Sequence, residues 1–455
     1  MKKILLLFLA LCLLVFSASC GGSGGAASKA QTEGKAKKAV DLNGYKFTWA
    51  SLWEPEVYPV KGSSDYGDKR LELIQKVEED YNCHISFTML AGTNVAENMN
   101  IALMAGEKFY DFIETTVTGL PTHLKNKTLM PLNTIKGFDV TQDKFLEDFT
   151  KQYTGEDVNV YGVQYSLSKL ARNPAAVMFF NKDLLEKYGL PSPYELVKKD
   201  QWTFEKFAEM CKALTKENQW GVTTVDWHYN HMEKPFIFAN NAGVVKEKDG
   251  KYRFGLLEPN AQYALNYLNK LIVQDKCMAP RPDINTPQDA FDAFTSGKVG
   301  FMSYSTINTW RLNQQMTDEW GLVVIPKGPN ATDYVHISAE YHAWVMLKNN
   351  VEDAEKAAIV FDALSEPVTG SRQTDEEMFW NEYLYSLNGD KDALEQLKLA
   401  SKTTVRDYSW CLNETQTKEF TAALDTCLRS GSKTPKAAME AIAPVMQGYI
   451  NGVYE

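Results

Sequence analysis

The sequence predicts an α/β protein built as two lobes. Strand and helix patterns alternate from Tyr45 to Thr116, and about 415 residues remain beyond a polar N-terminal stretch, more than a single hydrophobic core usually organises. In YKFTWASLW, Tyr45, Phe47 and Trp49 alternate with the period of a strand, which Pro55 and Pro59 end. A helix is expected from about Asp68 to Tyr81, where Leu71, Ile74, Val77 and Tyr81 share one side. CHISFTML alternates Ile85, Phe87 and Met89 as a second strand. A helix through Met99, Leu103 and Met104 stops at Gly106, and YDFIETT forms a third short strand. Strand, helix, strand, helix, strand is the order of a parallel lobe, which exposes its site outside the carboxyl ends of its strands.

Further along, VMFFNKDLLEKYGLP runs from a buried strand into a short helix stopped by Gly189 and Pro191. WTFEKFAEMCKALTK is an amphipathic helix that Thr203 can cap, with Cys211 on its apolar side beside Phe204, Phe207 and Leu214. VVKEKDGKYRFGLL is a hairpin turning at Asp249-Gly250, and NAQYALNYLNKLIVQD is again an amphipathic helix. PQDAFDAFTSGKVGFMSYSTINTW passes from helix to strand at Gly297, and WGLVVIPKGP and YHAWVMLKN are further strands. Helical patterns at DAEKAAIVFDALSEP and KAAMEAIAPVMQGYING follow.

The N-terminus bears on compartment. Lys2 and Lys3 precede an apolar run from Ile4 to Phe16 and the small residues Ser17, Ala18 and Ser19. This is a signal peptide layout over residues 1–19; its helix of about 20 Å falls short of the roughly 30 Å hydrocarbon core. Small residues before Cys20, and Gly-Gly-Ser-Gly-Gly after it, resemble the lipobox of bacterial lipoproteins. The resemblance implies that Cys20 carries the lipid; Ser17 stands where the lipobox usually has Leu, Val or Ile, and plain cleavage to a secreted form is the other reading. Residues 20–41 then make a lipidated cysteine and a flexible tether. Removing Lys2, Lys3 and the tether's net +3 (Lys29, Lys35, Lys37, Lys38, Glu33) from the chain's −10 leaves about −15 on the body, which disfavours nucleic acid and anionic lipid headgroups. The body's cysteines, Cys83, Cys211, Cys277, Cys411 and Cys427, are odd in number and have no CxxC spacing, although Cys411 and Cys427 could pair.

The order of these segments is similar to that of the family 1 extracellular solute-binding proteins, the maltose-binding type of ABC importer receptor. The stretches that carry the resemblance are AENMNIALMAGEKFYDFIETT, MFFNKDLLEKYGL with WTFEKFAEMCKALT, GKYRFG with its helix, AFTSGKVGFMSYSTINTW, WGLVVIPKGP and AWVMLKNNVEDAEKAAIVFDAL; together they span nearly the whole body. It implies two discontinuous α/β lobes of the type II periplasmic-binding-protein fold, 42–172 with 300–344 and 173–299 with 345–455. Hinge crossings are expected near Ala171 to Ala176, Gly297 to Met302 and Trp344 to Lys348. It implies also a monomeric receptor on the outer face of the cytoplasmic membrane, held there only by lipid, that hands an oligosaccharide to ABC permease subunits and needs neither cofactor nor metal.

A sugar site needs flat aromatic surfaces and paired hydrogen-bonding groups. Trp53, Glu54 and Tyr58 follow the first strand; Asp111, Glu114 and Thr115 lie on or just after the third. Trp227 and Tyr229 in VDWHYNH are expected from the other lobe. Ser303, Tyr304 and Trp310 follow the second expected crossing, where the family commonly has a tryptophan, and Glu340, Tyr341 and His342 precede the third. Trp202 is expected to pack at a helix start; Trp380 and Trp410 are left unassigned.

The rival class is a secreted hydrolase, since 58 acidic residues can supply two carboxylates at glycosidase separation. Beyond the tether the chain has no GxSxG elbow, HExxH or Walker pattern. His228 with His231, and His336 with Glu340 and His342, have spacings that could hold zinc if a third ligand converged, against the plainer reading of solvated or cleft polar residues. A peptide, polyamine or metal chelate in the same fold is a further alternative.

Overall fold

Tyr45, Phe47 and Trp49 are buried and Lys46 is exposed, as the alternation requires of a strand, β1 (Tyr45–Ser51). The computed structural model describes residues 40–51, 58–90, 95–116, 120–146, 150, 159–165, 174–224, 229–279, 287–306, 309–338, 342–405, 407–412 and 414–454. The leader, Cys20, Trp53, Glu54, Trp227, Glu340 and Tyr341 lie outside the described residues. The first helix, Asp65–Tyr81, starts earlier than its apolar period because the Ser64 hydroxyl accepts from the Gly67 N–H at 3.0 Å, and Asn82 closes it at φ 45°.

β2 (Cys83–Met89) and β3 (Phe112–Thr116) both run parallel to β1, with Trp49 lying beside Phe87 and Phe112. β4 (Val177–Asn181) is buried throughout, and its Asn181 side chain caps the helix Lys182–Lys187 by accepting from Leu184 N–H at 2.8 Å. β5 (Trp220–Thr224) follows the Thr203-capped helix Phe204–Leu214. The hairpin β6 (Val245–Lys248) and β7 (Lys251–Phe254) turns on Asp249 (φ 56°) and Gly250 (φ 74°), both left-handed as a two-residue turn between twisted strands demands. β8 (Val299–Tyr304), β9 (Trp320–Val323), β10 (His336–Ile337), β11 (His342–Val345) and β12 (Thr404–Val405) complete the described strands.

Two four-stranded sheets result, ordered β11-β3-β1-β2 and β5-β8-β4-β9; β11 is antiparallel to β3, and β4 is antiparallel to both β8 and β9. Each has its own core. Phe112 stacks on Phe361 at 4.0 Å in the first, joined by Phe47, Trp49 and Trp344. In the second, Phe207 meets Phe301 and Trp202, and the Trp202 indole N–H donates to the Val324 carbonyl at 2.7 Å, so Trp202 is the packing residue expected.

The pairing redraws the expected lobe boundaries. Val299–Tyr304 was expected to cross into the first lobe, but β8 is bonded to β4 on one side and β5 on the other, which places it inside the second sheet. Its apolar run reflects burial on both faces, which a hinge strand does not require. Residues 300–338 therefore stay with the second lobe. The chain regains the first sheet at His342, so Trp344 to Val345 is a core strand with the crossing just before it. The helix Ala354–Leu364 also packs on the first core through Ala357 and Phe361, whereas Phe379, Leu397, Phe420 and Ile450 of the later helices join the second. The chain thus passes between the two sheets after 165, after 338 and after Leu364; the first expected crossing, near Ala171 to Ala176, lies partly outside the described residues.

Cys211 is buried as expected. The Cys427 thiol is buried and donates to the Leu424 carbonyl at 3.2 Å; the side chain of Cys411 lies outside the described residues. Among the described residues no helix is long and apolar enough to cross a membrane.

Candidate functional site

The carboxyl ends of β1 and β3 lie at the edge of the first sheet where β11 begins, because His342 pairs with Thr116. In the second sheet the carboxyl ends of β5 and β8 lie at the edge where β4 begins, because Val177 pairs with Tyr304. The two beginning strands, β11 and β4, are the ones entered from crossings. Ser338 pairs with Pro174 on the second side and is only four residues from His342, at most about 14 Å of extended chain. Both carboxyl edges therefore open towards the same crossings, which makes the space between them the candidate site.

On the first edge Glu114 is buried, and its carboxylate accepts from the Ser51 hydroxyl and from Gln164 Nε2 at 3.1 Å. The same Gln164 amide donates to the His342 carbonyl at 3.2 Å, locking β3, β1 and β11 together at their site end. Thr115 and His342 are buried beside it. Below this edge Trp49 and Trp344 stack at 5.4 Å, with the Arg70 guanidinium over Trp49 at 5.5 Å and over Tyr165 at 5.6 Å. Tyr58 is 39% exposed and lies flat over Phe87 at 6.3 Å, 8° from parallel. A small recess of about 130 Å³ opens beside Arg70 and Tyr165, lined also by Ser365, Glu366 and Pro367. Its charges are largely matched: Lys144 meets Asp362 at 2.9 Å and Glu366 at 2.6 Å, and Arg372 donates to the Asp143 carbonyl at 2.7 Å.

Asp111 does not belong to this edge. It precedes β3 at the opposite end, where its carboxylate accepts from Tyr45 Oη at 2.5 Å and Thr48 N–H at 2.7 Å and pairs with Lys108 at 2.8 Å. Its buried charge is matched within the lobe, which makes it a strand lock and not a ligand contact. YDFIETT gave both carboxylates to one strand, but their distance along it decides which end each serves.

On the second edge Thr224 donates to the Ser303 carbonyl at 3.0 Å, and the Ser303 hydroxyl donates to the His231 carbonyl. The Tyr304 ring lies 4.8 Å from His231 and 5.3 Å from Phe291. Thr306 is buried, and its hydroxyl has no hydrogen-bond partner among the described residues. Trp310, on the helix Thr309–Gln315, is 51% exposed, with the Arg311 guanidinium 5.5 Å from its ring centre. Tyr229 turns inward instead: it is buried against Phe420 at 5.0 Å, with its hydroxyl 3.4 Å from Ser409. Ser51, Gln164, Thr224 and Thr306 were not anticipated. Ser51 and Thr224 end parallel strands, a signal the sequence carried; Gln164 lies between strands and carried none.

Of the two histidine sets whose spacing could hold zinc, His228 and Glu340 lie outside the described residues. His336 is buried, its Nε2 accepting from the Ile325 N–H at 3.1 Å and its Nδ1 donating to Thr403 Oγ1 at 3.0 Å. Among the described residues no three His, Cys, Asp or Glu side chains are grouped to hold a metal. Burial pushes His336 down to about 3 and His123 down to about 4. Unfolded histidine titrates near 6.5, so below that pH the unfolded chain takes up protons the folded chain refuses, and stability falls as pH falls through this window. Each such histidine contributes up to about 1.4 kcal/mol per pH unit. Urea midpoints should therefore drop between pH 7 and 5, with a shallower drop in His336→Gln; a flat profile over that range would contradict the burial of these rings.

A model of the bacterial extracellular solute-binding protein family matches residues 72–364. The chain belongs to this family. Among curated relatives of this solute-binding protein is a Brucella abortus (strain 2308) protein named as a candidate binding protein, 25% identical over 250 residues that make up 53% of this chain and 55% of the relative. The chain thus spans about half the length of the curated relatives it matches. Among solved structures, an ABC substrate-binding protein of Listeria monocytogenes in complex with cycloalternan is similar at TM-score 0.61 and 14% identity, over 90% of this chain and 100% of that one. A Mycobacterium tuberculosis protein in complex with glycerophosphocholine is similar at TM-score 0.61 and 16% identity, over 90% and 98%. A cyclic maltosyl-maltose binding protein of Arthrobacter globiformis is similar at TM-score 0.64 and 12% identity, over 90% and 99%. These likenesses establish the two-lobed, type II binding-protein fold, and the family places the chain outside the cytoplasm.

Proposed function

We propose that this solute-binding protein captures an oligosaccharide between its two lobes and presents it to the membrane subunits of an ABC importer, as a monomer tethered through Cys20 to the outer face of the cytoplasmic membrane. The observation that carries the sugar reading is Trp310, a large apolar ring left half exposed beside the Ser303–Thr306 polar row at the carboxyl edge of β8. Ring faces of this kind stack on the axial C–H faces of sugars while hydroxyls and amides bind the equatorial groups. Tyr58 supplies a second exposed ring on the other lobe. A relative in fold that holds cycloalternan, and one named as a cyclic maltosyl-maltose binding protein, support the same reading.

A panel of glycans, with a glycerophosphodiester arm added for the ligand of the Mycobacterium relative, tests it by thermal shift. A ligand at 100 times its Kd adds about 2.7 kcal/mol to apparent stability. The glycan that raises the melting temperature should also reduce the radius of gyration at monomer mass in small-angle scattering, since contacts from both lobes favour closure. A shift with glycerophosphodiesters alone would overturn the sugar assignment, and new products in the glycan mixtures would indicate a hydrolase. For the anchor, the Cys20→Ala protein expressed with its own leader should leave the membrane fraction, and persistent membrane association would refute it.

A further inference from the structure

Two cysteines of the second lobe converge on one glycine. Cys211 lies on the helix Phe204–Leu214, and Cys277 lies on the short extended segment that flanks β5; both are fully buried free thiols. The helix presses onto β5 so closely that a Cβ at Gly221 would stand 2.6 Å from both Cα and Cβ of Cys211. On the other side, Val222 N–H donates to the Cys277 carbonyl at 3.0 Å, Ala279 N–H donates to the Val222 carbonyl at 3.0 Å, and Val222 pairs with Met278 in parallel register. Gly221 is then the lateral neighbour of Cys277, and laterally paired residues project to the same face about 5 Å apart. Cys211 therefore fills the space above Gly221 from the helix side, and Cys277 projects to the same face from the neighbouring extended segment. Thr215 closes that space, donating to the Cys211 carbonyl at 2.8 Å and accepting from Gly221 N–H at 3.2 Å. A disulfide asks for Cβ atoms roughly 3.5–4.5 Å apart, and to form one the Cys277 sulfur, which lies 3.7 Å from the Asp275 carbonyl oxygen, must turn from it towards Cys211.

We propose that Cys211 and Cys277 are joined by a disulfide in the exported protein. The inference needs only the extracytoplasmic location, where disulfides form and persist, and is independent of which solute is bound. The oxidant is a disulfide-bearing carrier of that compartment. One cysteine thiolate attacks a carrier sulfur and releases the carrier's other thiolate; the second cysteine thiolate then displaces the carrier, which leaves as a dithiol with the two protons the cysteines gave up. Once the helix has docked, burial raises both thiols above their ordinary range and suppresses the thiolates, so the bond forms as helix and strand come together and is afterwards shielded. Cys83, half-buried in the first lobe, and Cys427, donating to Leu424, have no comparable neighbour among the described cysteines.

The full chain, expressed with its leader so that it is exported, is denatured directly in maleimide without reductant, digested and weighed. The expected result is a pair of peptides linked through Cys211 and Cys277, separating only after reduction. Cys211→Ala should release Cys277 to the maleimide and lower the melting midpoint by about 5 °C, as expected for losing a long closed loop in a body of this size. Full alkylation of both cysteines in the wild-type protein without reductant, or a link from either to a different cysteine, would overturn the proposal. The wild-type measurement needs no variant to fold.

Discussion

Replacing Trp310 by alanine is expected to weaken glycan binding roughly 30-fold to 150-fold while leaving the melting of the ligand-free protein almost unchanged. A stacked aromatic partner contributes its contact area and a specific term of about 0.5–1.5 kcal/mol, and a combined loss of about 2–3 kcal/mol corresponds to that range at tenfold per 1.4 kcal/mol. The folded protein has little to lose, because half of the Trp310 surface already faces solvent. A core tryptophan behaves in the opposite way: Trp202, fully buried with its indole bonded to Val324, should cost about 3–5 kcal/mol of stability when truncated. Calorimetric titration and apo melting of Trp310→Ala distinguish the two roles. Unchanged affinity with a sharply lowered melting temperature would return Trp310 to packing and remove the main support for a sugar site.

The second large effect is expected at a buried ion pair behind the site. Lys234 and Asp407 are 2% and 0% exposed and meet at 2.8 Å. Asp407 also accepts from the Ser409 N–H at 2.8 Å and hydroxyl at 2.9 Å, and the Lys234 ammonium lies 4.9 Å from the Tyr229 ring centre. The pair ties the turn after β5, whose His231 carbonyl takes the Ser303 hydroxyl, to the turn Tyr408–Cys411. Asp407→Ala would remove the carboxylate that this buried ammonium meets at 2.8 Å and should cost about 3–5 kcal/mol, whereas Lys234→Met with Asp407→Leu removes both charges and should recover most of that loss. Urea unfolding of the three proteins measures it. A double variant no more stable than Asp407→Ala would mean that packing around these residues, and not the uncompensated charge, sets the cost.

Much of the architecture was legible because local signals agreed with it. Alternation at Tyr45, Phe47 and Trp49, the Asp249-Gly250 turn, the Thr203 cap and the Gly106 stop each became the element they indicated. The site was less legible. Glu114, Thr115, Ser303 and Tyr304 do reach the carboxyl edges, since they stand at or near the ends of strands that local pattern located, and His342 begins the strand that pairs back antiparallel from that edge. Asp111 and Tyr229 do not: a residue's distance from the strand end, and the side from which a neighbouring helix covers it, are not written in local periodicity.

The sequence by itself determined the local elements and an α/β body too long for one core, because hydrophobic period, capping groups and turn residues act over a few neighbouring positions. Only the tertiary structure decided which sheet each later segment joined. β8 carries the same buried run whether it crosses a hinge or lies inside a sheet, and its pairing with both β4 and β5 settled that it lies inside. The same holds for Gln164, Ser51 and Glu114, far apart in the chain and joined by hydrogen bonds that exist only once β1, β3 and β11 are side by side. Long-range pairing selects among positions that look equivalent along the chain, so the assembly of the site is a property of the fold.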